Sequence, residues 1–330
     1  MDDILVFAKN TSYIDELYNQ LVDAKLEVSN LGEARDFLGI EIIRNRQNKA
    51  LTITQRGFIN KILNKYNKTS LKPTSNPLKL GVKLEKYLEK ASLEDINKYQ
   101  QEIGSLIYIT TFTRPDLAFP INYLARFMSN PSIDHFKALN IIWAYLLNTK
   151  DYGLEYKFQS TPLNLIGYSD ADWGGDPISR KSTSGLVYLI GNEENYIAIN
   201  WLSKLQKTVA LSSCEAEYMA LKEAIKENLF INNLINELPS YIGNLFNNKK
   251  DIYTDSQSAI ELAKNPIYHA KTKHVDIRYH FIREKVENGD IILKYHPTYS
   301  LLADGLTKPI SNPKWLEFIQ GLGLIRLDSV

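Results

Sequence analysis

The stretch Gly167-Tyr-Ser-Asp-Ala-Asp-Trp-Gly-Gly decides how the C-terminal half of this chain is read. It completes an apolar run, Leu163–Ser169, that predicts a strand, and it places Asp170 at the end of that strand. Working outward, strands are expected at Gly185–Ile190 and Tyr196–Leu202, separated by turns containing glycine and asparagine. A long helix is expected from about Ser213 to Leu238, then a strand at Asp251–Thr254 and a helix from Ser256. A helix from about Asp276 to Glu287, a strand at Ile291–Tyr295 and a short helix near Leu301 complete the series. A three-strand meander followed by alternating helix and strand predicts an α/β region: a mixed five-stranded sheet flanked by helices.

Four acidic residues stand at special places in that series. Asp170 ends the first strand, and Asp255 ends the fourth in Tyr253-Thr-Asp-Ser-Gln-Ser-Ala. Asp304 lies on the last short helix in Leu302-Ala-Asp-Gly-Leu-Thr-Lys. The long helix offers Glu215 or Glu217. Two residues turn a helix by about 200°, so these two face nearly opposite ways. Leu221, Ala224, Asn228, Ile231 and Ile235 share the face of Glu217, and that mostly apolar stripe should meet the sheet. Glu217 is therefore the inward acid. Carboxylates gathered at one sheet edge repel one another, and hard divalent cations relieve that repulsion. Two such ions can clamp a phosphodiester. A single Asp after a strand is more often a turn former or a cap, the reading given to Asp172 and Asp176. The ordered set of four is what carries the inference.

Upstream, Ile4–Ala8 reads as a short strand, and Ser12 as the cap of a helix with Ile14, Leu17, Leu21 and Ala24 at helical spacing. Phe37–Ile43 and Ala50–Thr54 read as a strand pair, followed by a helix carrying Phe58, Ile59, Ile62, Leu63 and Tyr66. Thr69–Gly81, with Pro73 and Pro77, reads as a loop or linker. Leu93–Asn148 is expected to be mostly helical, broken near Arg114-Pro115-Asp116 and Asn130-Pro131-Ser132. Lys150–Phe158 opens a strand-rich region. The chain as a whole is expected to be α+β.

Composition bounds the function. The chain has 330 residues, enough for two to three domains, with 39 basic against 38 acidic residues. Its neutral total hides a local excess: Arg56 to Lys90 holds nine basic and two acidic residues, a solvated surface or a phosphate contact. One cysteine, Cys214, excludes an internal disulfide and any zinc site built on paired cysteines. No apolar run reaches membrane-spanning length and no signal-peptide layout opens the chain, so a soluble intracellular protein is expected.

Six separated motifs resemble, in order, the ribonuclease H domain of copia-like LTR retrotransposon Pol polyproteins. They are Tyr168-Ser-Asp-Ala-Asp-Trp-Gly-Gly, Arg180-Lys-Ser-Thr-Ser-Gly, Leu211-Ser-Ser-Cys-Glu-Ala-Glu-Tyr, Tyr253-Thr-Asp-Ser-Gln-Ser-Ala, Thr272-Lys-His-Val-Asp-Ile-Arg-Tyr-His-Phe-Ile-Arg and Leu302-Ala-Asp-Gly-Leu-Thr-Lys-Pro. Tyr99-Gln-Gln-Glu-Ile-Gly-Ser-Leu-Ile-Tyr, Thr113-Arg-Pro-Asp-Leu-Ala and Asp151-Tyr-Gly-Leu-Glu-Tyr resemble that polyprotein's connecting region. Met1-Asp-Asp-Ile-Leu-Val-Phe resembles the tail of the reverse transcriptase palm motif. The resemblance implies a partial palm and thumb over 1–68, a linker and mainly helical connection over 69–160, a ribonuclease H-like domain over 161–310 and a C-terminal tail over 311–330.

By the same resemblance, Asp170, Glu217, Asp255 and Asp304 match four metal-binding carboxylates, and Asp2 and Asp3 match two polymerase carboxylates, here vestigial. With nothing before Met1, the fingers and most of the palm are expected to be missing and polymerase activity absent. His296, eight residues before Asp304, matches a mobile-loop histidine that helps release product; the alternative is an ordinary surface histidine. Arg180, Lys181, Ser256, Gln257, Lys271, Lys273 and His274 are candidates for nucleic-acid contact, and Trp173 and Trp201 for core. The implied reaction is hydrolysis of the RNA strand of RNA–DNA hybrids with two Mg2+ (or Mn2+) and no small-molecule cofactor or membrane partner. The implied place is the cytoplasm, in a virus-like particle, or the nucleus. The competing reading is an inactive or domesticated nucleic-acid-binding remnant. An integrase-type core is disfavoured, because its acids run Asp, Asp, Glu and here the glutamate falls between aspartates.

Overall fold

Among the residues that the computed structural model describes (3–157, 162–192, 195–264 and 273–327), ten strands form two five-stranded sheets. The first sheet begins with β1 (Asp36–Phe37), β2 (Ile40–Asn45), β3 (Ala50–Thr54) and β4 (Tyr152–Lys157), each antiparallel to the next. The second holds β5 (Leu163–Asp172), β6 (Thr183–Asn192), β7 (Asn195–Leu205), β8 (Phe246–Thr254) and β9 (Ile292–Tyr295). Its order is β7-β6-β5-β8-β9. The meander β5–β6–β7 is antiparallel, whereas β8 runs parallel to β5 and β9 parallel to β8. This is the mixed five-stranded sheet expected from the sequence. The last strand, β10 (Leu324–Arg326), returns to the first sheet and pairs antiparallel with β4, Leu324 opposite Leu154.

Ten α-helices accompany these sheets among the described residues. Ahead of β4 come α1 (Thr11–Asp23), α2 (Arg56–Lys65), α3 (Leu93–Phe112), α4 (Ala118–Ala125) and α5 (Ile133–Asn148). The breaks fall at Pro115 and Pro131, as a ring that lacks an N–H requires. Ser92 caps α3 through Asp95 N–H, and Ser132 forms a capping box with His135 on α5. Beyond β7 come α6 (Ser213–Glu237), α7 (Ser240–Gly243), α8 (Gln257–Lys264), α9 (Lys273–Glu287) and α10 (Asn312–Gly321).

The second sheet separates two cores. Strand alternation sends Val187 and Leu189 of β6 to one face, where they join Ile103 and Leu106 of α3 and Leu139 and Trp143 of α5. Leu186 and Tyr188 face the other way, onto Leu221, Ala224 and Ile225 of α6, Ile260 of α8 and Ile282 of α9. None of the described helices is long and apolar enough to cross a membrane.

Several expectations need correction. Residues 4–8 form no strand; they join neither sheet, and Phe7 is 85% exposed. The first helix starts at Thr11 rather than after Ser12, and the preceding Asn10 makes no side-chain cap bond. Within the expected tail, Trp315, Phe318 and Ile319 bury at helical spacing in the core shared with α3 and α5. The Thr69–Gly81 stretch is irregular, but Leu78 is buried and Asn76 donates to the Ile310 carbonyl, so it is packed rather than a free tether. Packing therefore crosses the expected boundaries near 68, 160 and 310.

Candidate metal centre

The register of two parallel strands sets the site. Tyr168 of β5 lies opposite Tyr253 of β8, so Asp170 and Asp255, each two residues further on, emerge side by side at one sheet edge. Helix α6 supplies the third acid. Ser212 caps its first turn through Glu215 N–H, and Glu215 accepts from Leu211 N–H at 2.7 Å, which occupies Glu215 at the helix entrance. Glu217 points the other way, on the buried stripe with Leu221, Ala224, Asn228, Ile231 and Ile235. One oxygen from each of Asp170, Glu217 and Asp255 lies within 4.8 Å of the others.

That gathering is electrostatically costly. Asp170 is 2% exposed and Glu217 8% exposed. Burial, then the neighbouring Asp170 and Asp255 charges, pushes the Glu217 carboxyl up to about 9. Burial also raises Asp170, to about 6; Lys308 opposes the rise, while Asp304 and Asp255 add to it. Glu217 takes a backbone hydrogen bond from Ala171, yet its Oε2 is buried with no hydrogen-bond partner. Hard oxygen donors, mutual repulsion and an unsatisfied buried carboxylate oxygen together fit a divalent cation such as magnesium.

Asp304 is brought near but not into the group of three. It sits buried in a 3-10 turn, Leu302–Leu306, and connects to the group through two neighbours. The Lys308 Nζ lies 2.9 Å from Asp304 Oδ1 and 4.0 Å from Asp170 Oδ2. The Thr307 hydroxyl donates to Asp170 Oδ2. A glycine makes this approach possible: Gly185 lies opposite Asp170, and a Cβ there would meet Thr307 Cγ2 at 2.7 Å and Leu306 Cβ at 2.9 Å. On the other flank, Thr298 donates to Asp255 Oδ2 at 2.6 Å.

Lys308, Thr307 and Thr298 were not singled out from the sequence. Lys308 had a local signal, since it falls four residues after Asp304, the spacing of a helical ion pair. Thr298 had none, because its partner is 43 residues away.

The remaining expected residues are dispersed. His296 is not in the group of three; its ring stands edge-on to Tyr168 and Tyr253, with centroids 5.5 and 5.8 Å away. Arg180 is exposed and Lys181 half-buried in the turn before β6. Ser256 caps α8 through Ala259 N–H, and Gln257 is exposed on the first turn. Lys271 and Asp2 lie outside the described residues, as do the side chains of Lys273 and His274 on α9. Asp3 is exposed. Asp176 accepts from Ser179 and pairs with Arg126 at 3.1 Å, a structural arrangement. Trp201 packs against the core and donates to the Thr110 carbonyl. Trp173 departs from the core expectation: it is 57% exposed, its indole N–H held by the Ala210 carbonyl.

Comparison with known proteins gives four matches. A family model described as reverse transcriptase (RNA-dependent DNA polymerase) matches residues 1–80. The retrovirus-related Pol polyprotein from transposon TNT 1-94 of Nicotiana tabacum is 37% identical over 320 residues, which is 96% of this chain and 23% of that protein. The corresponding polyprotein from transposon RE1 of Arabidopsis thaliana is 35% identical over 99% of this chain and 21% of its own length. The chain thus spans less than a quarter of the length of these relatives. Among solved structures, the N-terminal RNase H domain of Rv2228c from Mycobacterium tuberculosis, fused to maltose-binding protein, matches at TM-score 0.29 and 11% identity, covering 49% of this chain and 98% of that one. The fold itself rests on the strand order β7-β6-β5-β8-β9.

Proposed function

Because this chain belongs to the Pol polyprotein family of copia-like retrotransposons, we propose that its second sheet is a ribonuclease H that hydrolyses the RNA strand of RNA–DNA hybrids with two magnesium or manganese ions. One observation carries this reading: the oxygens of Asp170, Glu217 and Asp255 converge within 4.8 Å at a sheet edge, largely buried.

Asp170, Glu217, Asp255 and Asp304 are the residues that would hold the ions. When bound, such ions activate an attacking water and stabilise the leaving oxygen. The chain's own residues prepare the place. Thr307 and Thr298 hydroxyls each donate to one carboxylate, Asp170 and Asp255, and so fix which lone pairs face inward. Burial keeps water from screening Asp170, Glu217 and Asp304. The hybrid is read by its A-form-like shape and 2′-hydroxyls more than by base sequence. Exposed Arg180, between β5 and β6, and exposed Gln257, on the first turn of α8 after β8, follow the C-terminal ends of two parallel strands and are the side chains we assign to backbone phosphates.

The test is incubation of the purified chain with Mg2+ and a hybrid labelled on its RNA strand. Internal cuts leaving 3′-hydroxyl and 5′-phosphate ends are expected, and they are expected to vanish in Asp255→Asn. An uncut hybrid with the wild-type chain, or cutting that survives in Asp255→Asn, overturns the proposal.

A further inference from the structure

The four buried or half-buried carboxylates offer two places for positive charge, and one already holds a cation. Asp170, Glu217 and Asp255 surround the first place. The second lies between Asp170 and Asp304, where Lys308 Nζ sits 2.9 Å from one and 4.0 Å from the other. Asp170 belongs to both places. Lys308 is tethered close by, four residues after Asp304 and just past the end of the same turn. Its side chain is nevertheless 43% exposed, against 3% for Asp170 and 9% for Asp304, so the ammonium has a route to solvent that the acids lack.

We infer that Lys308 is a placeholder for the second cation, holding Asp304 against Asp170 in the metal-free chain and withdrawing when a divalent ion enters between them. This rests on reading the site as a two-cation centre. An ammonium and a divalent ion repel at such distances and cannot share the Asp170–Asp304 gap. Entry of the ion must therefore break the lysine's ion pair, which weakens binding at the second place more than at the first, from which the ammonium stands further away. A lysine that only braced the turn acts differently: its loss lowers stability alike with and without metal.

The experiment is calorimetric titration of Mn2+ into the full chain, with thermal unfolding in EDTA and in Mn2+, for wild type, Lys308→Met, Lys308→Gln and Lys308→Arg. Wild type is expected to bind in a tight and a weak class. Both neutral variants are expected to tighten the weak class about tenfold, or about 1.4 kcal/mol, and to shift the tight class by less. Lys308→Arg keeps the wild-type profile. The neutral variants unfold at lower temperature in EDTA, and Mn2+ closes that gap. Unchanged or weakened binding in both neutral variants overturns the inference while leaving the metal centre standing. A wild-type chain that binds no Mn2+ overturns the two-cation reading itself.

Discussion

Buried charge is handled in opposite ways around the two sheets. In the helical region beside the first sheet, Arg114 and Asp116 are both fully buried and paired at 2.7 Å. The remaining capacity of that pair is also used: Tyr145 donates to Asp116 at 2.7 Å, and Arg114 donates to the Thr149 carbonyl and hydroxyl at 3.0 and 2.7 Å. At the edge of the second sheet, Asp170, Glu217, Asp255 and Asp304 face one neighbouring ammonium among the described residues, Lys308. A buried charge with every partner supplied is a structural device. Buried carboxylates left short of positive charge destabilise the fold and mark a place where charge is to be brought from outside.

The largest effect is expected where the paired device is broken. Asp116→Ala strands the Arg114 guanidinium in the core and should cost about 3–5 kcal/mol, read as a lower urea midpoint by tryptophan fluorescence. A loss below about 1 kcal/mol would remove one side of the contrast. Gly185→Ala attacks the other side sterically. Its new Cβ forces the Leu302–Leu306 turn away from Asp170, which should cost about 1–3 kcal/mol and reduce hybrid cleavage; undiminished cleavage would separate that turn from the site. Smallest is Thr298→Ala, which frees an exposed carboxylate oxygen of Asp255. Stability should stay within about 0.5 kcal/mol while cleavage falls a few-fold, and equal cleavage would make that hydrogen bond incidental.

Much of the second sheet was legible because its signals are local. The Leu163–Ser169 run, the Ser212 cap and the inward stripe of Glu217 each depend on residues a few positions apart, and β5 and α6 formed as those patterns require. What escaped is non-local. Strand β10 is three residues long, and its partner β4 lies some 170 positions earlier, so nothing in Leu324-Ile-Arg announces the pairing. The same holds for the burial of Trp315 beside Tyr145, 5.7 Å away across the chain's length. Residues 4–8 failed for the converse reason: an apolar run makes a strand only where a neighbouring strand takes its hydrogen bonds. At the site, the sequence named four acids, of which Asp170, Glu217 and Asp255 converge, but not Lys308's share of the space, because an ion pair's geometry depends on the turn that carries it.

The central claim is that the acids at the second sheet are held together against their own repulsion. It has a pH signature with a definite sign. An unfolded Glu releases its proton near pH 4.3, whereas folded Glu217 holds it up to about 9, and Asp170 up to about 6. Below the unfolded values both states carry the protons and nothing is lost. As pH rises through the window, the metal-free folded chain loses up to about 1.4 kcal/mol per pH unit for each such group. The direct measurement is urea unfolding of wild type and Glu217→Gln from pH 5 to 8, in EDTA and in Mg2+. In EDTA the wild type should lose stability with rising pH more steeply than Glu217→Gln and be the less stable of the two at pH 8. Mg2+ should restore the wild type and do little for the variant. A variant less stable than wild type in EDTA at pH 8, or Mg2+ stabilising both equally, would contradict the account.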